Sequence, residues 1–334
     1  MDLFIPDVAY IDSKALNYDE GKKALEFFKE NNVEIIESRR VKIDENSNFK
    51  KYTKSKRTVL LTVNRQKKLV SCNPSADYQF HLSKSCPGHC EYCYLQTSHG
   101  EKPYMKIFTN IDEIIDTIKN HTQDDKVTHF EAASLTDPVA LDHITGGLKK
   151  VIEFFSNTEN AKLRLVTKFS NIDSYLDIKH NNNTKFRFSI NTDWVIENFE
   201  HNTSSIDERI DAARKIANAK YPIGFIIAPI IIYDNWKEDY KNMIKNLSIA
   251  LKNYDKNITF ELIQHRFTKK AKNLILERFP NTKLDLNEEN RHLKWGPYGN
   301  FKYVYKKEES KFMKEYITDL VNKYFENSDI QYFT

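Results

Sequence analysis

The stretch Cys86-Pro87-Gly88-His89-Cys90-Glu91-Tyr92-Cys93 holds three of the four cysteines of the chain, spaced C-x3-C-x2-C. Three thiols this close along one loop can ligate a metal centre without help from distant chain. Structural thiols usually occur singly, so the grouping itself points to ligation. A zinc site would need a fourth ligand, which His89 or His81 could supply. An iron–sulfur cluster held by only three thiolates leaves one iron open to a small molecule. The loop sits outside any small zinc-ribbon pattern, and this favours the cluster.

Downstream of the loop a strand–helix rhythm begins. Asn110-Ile111-Asp112-Glu113 reads as a capping box opening a helix through Ile114, Ile115 and Ile118. Strands are expected at residues 127–133, 163–166, 185–190, 221–232 and 258–263. Helices are expected at 147–155, at 236–251 and after Ser205-Ile206-Asp207-Glu208, a second capping box. Apolar strands alternating with helices imply a parallel sheet covered by helices. About six such units follow the cysteines, fewer than a closed eightfold barrel needs. The fold class is therefore α/β, a partial (β/α)6 barrel over residues 58–290.

Upstream, residues 1–57 read as a small N-terminal α/β layer. Leu16, Ala24, Leu25 and Phe28 share a helical face there, with Asp19 as N-cap. Residues 291–334 form a third segment. A β-hairpin over 291–306 carries turn residues between aromatic and β-branched runs, and an amphipathic helix follows over 309–325.

The 334 residues are 40% hydrophobic and 29% charged, with 21 Phe and 18 Tyr, which excludes a disordered chain. Four cysteines cannot staple a chain of this size, so a disulfide scaffold is excluded. The longest apolar run, residues 223–233, is short of the ~20 residues of a membrane span. With no secretory signal in view, a cytoplasmic protein without a membrane partner is expected. The net charge of +4 permits a polyanionic partner without demonstrating one. No coiled coil or large apolar stripe is evident, so a monomer is expected.

A C-x3-C-x2-C loop opening a partial (β/α)6 barrel resembles the radical S-adenosyl-L-methionine (SAM) superfamily. Three segments narrow the resemblance to the spore photoproduct lyase family. They are Ser75-Ala76-Asp77-Tyr78-Gln79-Phe80, Cys90-Glu91-Tyr92-Cys93-Tyr94-Leu95-Gln96 and Val166-Thr167-Lys168-Phe169. The resemblance runs over residues 59–305. It implies a DNA-repair lyase that reverses the methyl-bridged thymine dimer of UV-damaged DNA to two thymines through a 5′-deoxyadenosyl radical. It also implies a [4Fe–4S] cluster on Cys86, Cys90 and Cys93, bound SAM, a flavodoxin or ferredoxin as electron donor, and residence in the spore core.

By the same resemblance, Tyr92 and Tyr94 match the pair that relays a hydrogen atom towards SAM; their plainer reading is aromatic packing. Lys168 matches a contact to the SAM carboxylate, and Ser189 a SAM-binding serine. Thr136 occupies a SAM-contact position where serine is usual, and at Ala228 the main chain approaches SAM. One departure matters. Many members carry, where this chain has Ser134, a cysteine that returns a hydrogen atom to the thymine radical. An alcohol O–H is much stronger than a thiol S–H and donates poorly to a carbon radical. The one thiol outside the loop is Cys72, which elimination makes the expected donor; the plainer reading is a small buried side chain.

Chemistry on a base inside a duplex requires the lesion to be extruded, hence a basic track and a wedge. The hairpin offers Arg291, Lys294, Lys302, Lys306 and Lys307 as charge, and Trp295, Tyr298 and Tyr303 as stacking faces. His265-Arg266 is also expected near substrate. Two other readings remain open from sequence: a radical SAM enzyme with another substrate, and a metal-stapled DNA-binding module without catalysis.

Overall fold

In the computed structural model, which describes residues 2–73, 75–132, 135–295 and 301–334, the chain divides into two units. The first comprises Met1–Pro87, His99–Phe186 and Ala219–Tyr221; the second comprises Gly88–Ser98, Arg187–Asn218 and Pro222–Thr334.

The first unit contains a five-stranded sheet in the order Glu34–Ile36, Val8–Ile11, Thr58–Thr62, Met105–Phe108, Ser83–Lys84. The first four strands run parallel and the last antiparallel. Thr58–Thr62 pairs directly with Val8–Ile11, so this sheet continues across residue 57. Strands β1 (Ala76–Phe80), β2 (Thr128–Ala132) and β3 (Ala161–Thr167) also lie in this unit, paired in parallel. Val70–Cys72 runs antiparallel to β1. Strand β4 (Thr184–Ile190) gives its first three residues to the first unit and the rest to the second.

In the second unit the order is β4, β5 (Ile223–Ile230), β6 (Ile258–Gln264) and β7 (Ser328–Phe333). The last three run parallel. Strand β5, Ile-Gly-Phe-Ile-Ile-Ala-Pro-Ile, is buried along nearly its whole length. A strand covered on both faces needs such an uninterrupted apolar run. The helix Trp236–Ala250 buries Trp236, Tyr240, Met243, Ile244 and Leu247, the spacing of a single helical face.

Local signals fared differently. At Ser205 the capping box closes: the Ser205 amide donates to the Glu208 carboxylate at 2.8 Å, and the Glu208 amide donates to Ser205 Oγ at 3.3 Å. At Asn110 it does not. The side-chain oxygen of Asn110 instead accepts from the amide of Asn64 at 2.7 Å, and its amide donates to Glu113 at 3.1 Å. A tertiary partner has taken the capping atom. Tyr18, not Asp19, is the N-cap of Asp19–Glu30, and Asp19 is its first helical residue. A carboxylate in the first turn still faces the positive end of the helix. The C-terminal helix spans Lys307–Tyr324, and β7 beyond it was not expected.

Arg187 in β4 and Glu261 in β6 form an ion pair of 2.7 Å, each side chain 2% exposed, across the intervening β5. Removing one buried partner strands the other. Glu261→Ala is expected to lower the unfolding free energy by about 3–5 kcal/mol in urea denaturation, and the apolar double substitution Arg187→Met/Glu261→Leu to recover most of that loss.

Candidate active site

In the second unit, Cys90 ends the short strand His89–Cys90, which pairs antiparallel with Glu200–His201 so that Cys90 faces Glu200. The chain then turns tightly. The Cys93 amide donates to the Cys90 carbonyl at 3.2 Å, and the Gln96 amide to the Cys93 carbonyl at 3.1 Å. The Gln96 side chain closes the loop from within, donating to the carbonyls of Cys90 at 3.0 Å and Glu91 at 2.8 Å. Arg278 holds Gln96 in turn, through Oε1 at 3.0 Å. Glu91 is buried, accepts from Thr282 Oγ1 and meets His201 at 2.9 Å. Sequence reading missed Gln96 and Glu91 as supports of the loop, because their partners lie about 100 to 190 positions away.

The two expected tyrosines part company. The Tyr92 hydroxyl donates to Glu200, and its ring packs against the apolar cluster of Val195, Phe199 and Leu284. Burial, then the charge of Glu200, raises its pKa well above the ordinary value. Tyr94 is 62% exposed. Glu200 pairs with Arg209 at 2.6 Å, both side chains fully buried. Arg209 also donates to the Ser189 carbonyl at 2.9 Å, to the Ser204 carbonyl at 2.9 Å and to Thr203 at 2.8 Å. One guanidinium therefore ties the end of β4, with Ser189, to the strand opposite Cys90. Ala228 lies at an irregularity in β5, where the register with β6 shifts between Ile227 and Ile230.

In the first unit, Cys86 is half-buried and its carbonyl accepts from Lys56 Nζ. The Thr136 hydroxyl donates to the Ser85 carbonyl and accepts from Ser83 Oγ at 3.2 Å. Next to it, the Asp137 carboxylate accepts from the Lys168 amide at 2.7 Å and from Thr167 Oγ1 at 2.9 Å. Asp137, which sequence reading passed over, thus joins the Thr136 loop to the end of β3 and fixes where Lys168 begins. Cys72 is half-buried, with Cys72 opposite Ala76 at an irregularity in the pairing with β1. Ser75 beside it donates to Glu131 at 2.8 Å. Ser134 lies outside the described residues.

The hairpin pairs Arg291–Trp295 with Phe301–Tyr305, placing Lys294 opposite Lys302 and Trp295 opposite Phe301. Trp295 is 66% exposed. Tyr303 turns inward: its ring stacks on Phe267 at 5.2 Å and its hydroxyl donates to Glu288 at 2.7 Å. Arg291, expected as a surface charge, is buried with its guanidinium 3.8 Å from the Tyr305 ring. His265, expected near substrate, is buried as well. Tyr298 lies outside the described residues.

None of the four cysteines is in a disulfide. Among the described residues no three His, Cys, Asp or Glu side chains converge as the ligands of a single ion would. Cys86, Cys90 and Cys93 form an all-thiol donor set. In a cluster each thiolate ligates a different iron, so they need not converge on one point, and the set fits that group.

A family model described as spore photoproduct lyase matches residues 4–334. The chain belongs to the spore photoproduct lyase family. The spore photoproduct lyase of Bacillus subtilis is 44% identical over 99% of both chains, and that of Clostridium acetobutylicum 41% identical over 96% of both. A solved spore photoproduct lyase, 42% identical and covering 100% of both chains, superposes with a TM-score of 0.94. That protein carries bound AdoMet (SAM) and a dinucleoside spore photoproduct, with one cysteine changed to alanine and one serine to cysteine. Another, 41% identical over 100% of both chains with a TM-score of 0.94, is complexed with the dinucleoside lesion. The α/β fold expected from the strand–helix rhythm, and the radical SAM type that the resemblance implied, are the fold of these spore photoproduct lyases. No described helix is long and apolar enough to cross a membrane.

Burial pushes Asp137 up to about 6, against the hydrogen bonds it accepts. Burial also holds His81 down at about 4, helped by Lys84 and His99, and His265 at about 3, helped by Arg291. The imidazoles stay neutral in the fold where the unfolded chain would bind protons, so their contribution to stability is lost as the pH falls below about 6.5. Asp137 acts in the opposite sense: its contribution is complete below about 4 and is lost as the pH rises through about 6. Denaturation at a series of pH values is expected to show stability falling between pH 6 and 4. Asp137→Asn should steepen that fall by about 1.4 kcal/mol per pH unit.

Proposed function

We propose that this chain repairs UV-damaged DNA by reversing the spore photoproduct to two thymines, using SAM and a [4Fe–4S] cluster held by Cys86, Cys90 and Cys93. The observation that carries this reading is the full-length kinship to spore photoproduct lyases, solved structures of which hold the dinucleoside lesion. When bound, the cluster supplies the electron that releases a 5′-deoxyadenosyl radical from SAM. The reductant is a small one-electron carrier of the flavodoxin or ferredoxin class. The protein works as a monomer in the spore core.

The chain's own residues then have distinct tasks. Lys168, whose backbone Asp137 fixes, meets the SAM carboxylate. Thr136, Ser189 and the main chain at Ala228 complete the SAM contacts. Tyr94 and Tyr92 pass the hydrogen atom back. Lys294, Trp295, Tyr298, Lys302 and Tyr303 form the DNA-facing hairpin, with Trp295 as the exposed stacking face and Tyr303 as its internal support. Cys72 returns a hydrogen atom to the thymine radical in place of Ser134, because a thiol S–H yields its hydrogen far more readily than an alcohol O–H.

The deciding experiment is anaerobic. Cluster-reconstituted protein, SAM and a chemical reductant are incubated with DNA carrying the spore photoproduct, and released thymine is quantified. Thymine formation is expected. SAM cleavage to 5′-deoxyadenosine without thymine would assign another substrate, and neither product would leave a binding module. Cys86→Ala is expected to abolish both products. Cys72→Ala is expected to preserve SAM cleavage while cutting thymine yield roughly tenfold, about 1.4 kcal/mol in the quenching step, with trapped by-products in its place. Undiminished clean repair would remove Cys72 from the mechanism.

A further inference from the structure

The five-stranded sheet of the first unit buries one face through Val59, Leu61, Met105 and Ile107. The alternate positions Leu60, Thr62, Lys106 and Phe108 line a cleft of about 420 Å³ on the other face. Side chains alternate across a strand, so the two sets cannot mix. Leu60 and Phe108 are nearly buried and give this cleft an apolar floor. Its remaining lining includes Lys84, Arg65, Arg39 and Tyr104.

The charges here are unbalanced. Lys84 and Lys106 are direct cross-strand partners in the antiparallel pairing of Ser83–Lys84 with Met105–Phe108. Like charges placed opposite one another cost free energy. Among the described residues no carboxylate forms an ion pair with Lys84, Lys106 or Arg65; Lys106 lies 5.4 Å from the Tyr104 ring instead. Arg39 is engaged by Asp12 at 3.6 Å. The excess is felt nearby. Burial lowers the pKa of His99 against its bond to the Leu135 carbonyl, and the charges of Lys56, Lys84 and Lys106 lower it further. A sheet that opposes two half-buried lysines over an apolar floor is built to receive an anion with an apolar body attached.

We propose that this cleft binds a backbone phosphate of the DNA, with Lys84 and Lys106 on the phosphate oxygens, Arg65 at the rim, and Leu60 and Phe108 under the deoxyribose. The proposal rests on the DNA-repair reading and adds to it a contact separate from the hairpin. Phosphate contacts of this kind position a duplex without reading its sequence.

The test is fluorescence anisotropy of the full chain with a labelled undamaged duplex over a range of KCl concentrations, without SAM. Lys84→Gln/Lys106→Gln is expected to weaken binding about tenfold near 0.1 M salt and to reduce the slope of log K against log salt by about one to two. The exposed substitution Lys126→Gln serves as the charge control. A double variant that tracks this control overturns the proposal. Thermal melting separates misfolding from lost contact: relief of the opposed charges should leave the free variant at least as stable as the wild type. Added duplex should raise the melting temperature of the wild type more than that of the variant. Stabilisation of the wild type by inorganic phosphate but not by duplex would make the site one for a free anion and overturn the nucleic-acid assignment. Failure of the repair reading would show differently, as bound DNA with no thymine formed, and the slope comparison would still decide the cleft.

Discussion

The buried pair of Glu200 and Arg209 governs the second unit. Two opposite charges at 2.6 Å with no exposure are costly to desolvate, and the cost is met only because the remaining donors of the guanidinium are also satisfied. Those donors reach Ser189, Thr203 and Ser204, while Glu200 takes the hydroxyl of Tyr92 and lies opposite Cys90. One ion pair thus sets the positions of a candidate cofactor contact, a candidate relay residue and a candidate cluster ligand. Lysine at 209 would retain the charge but lose the planar fork that makes four simultaneous contacts possible.

In the first unit, Asp137 plays a comparable part with neutral partners. Its carboxylate gathers the Lys168 amide and the Thr167 hydroxyl at the end of β3 and the amides of Val139 and Ala140 in the loop after β2. It remains buried at the cost of a raised pKa. Both arrangements place a side chain of known chemistry, Tyr92 or Lys168, by holding something beside it.

Much of this was legible in the chain. The strands from β2 to β6 announced themselves as apolar runs, and the Ser205 capping box worked because both of its partners are local. The cysteine loop was legible because its ligands are contiguous. What failed was whatever depended on distant partners. Asn110 lost its cap to Asn64, Arg291 was drawn inward by Tyr305 and the carbonyls of His265 and Asp285, and Tyr303 was claimed by Phe267 and Glu288. A basic or aromatic residue on a hairpin looks like a surface group until the packing beneath it is known. Strand β7 was hidden for another reason. Its Ser-Asp-Ile-Gln-Tyr-Phe carries too little apolar alternation to be distinguished from a tail, and its strand character comes from the edge of β6 beside it.

That edge has a bearing on how the protein is made. Ile258 pairs with Ser328, so β6 waits for a partner that follows the hairpin and the helix Lys307–Tyr324 in the chain. Until that partner arrives, a buried and strongly apolar strand presents an open row of backbone donors and acceptors, the surface on which nascent chains pair with one another. Contacts closed over such long intervals also form late. The order of synthesis therefore leaves this edge open until residues 328–333 have been made, and the same segment that carries the hairpin is the one that closes it.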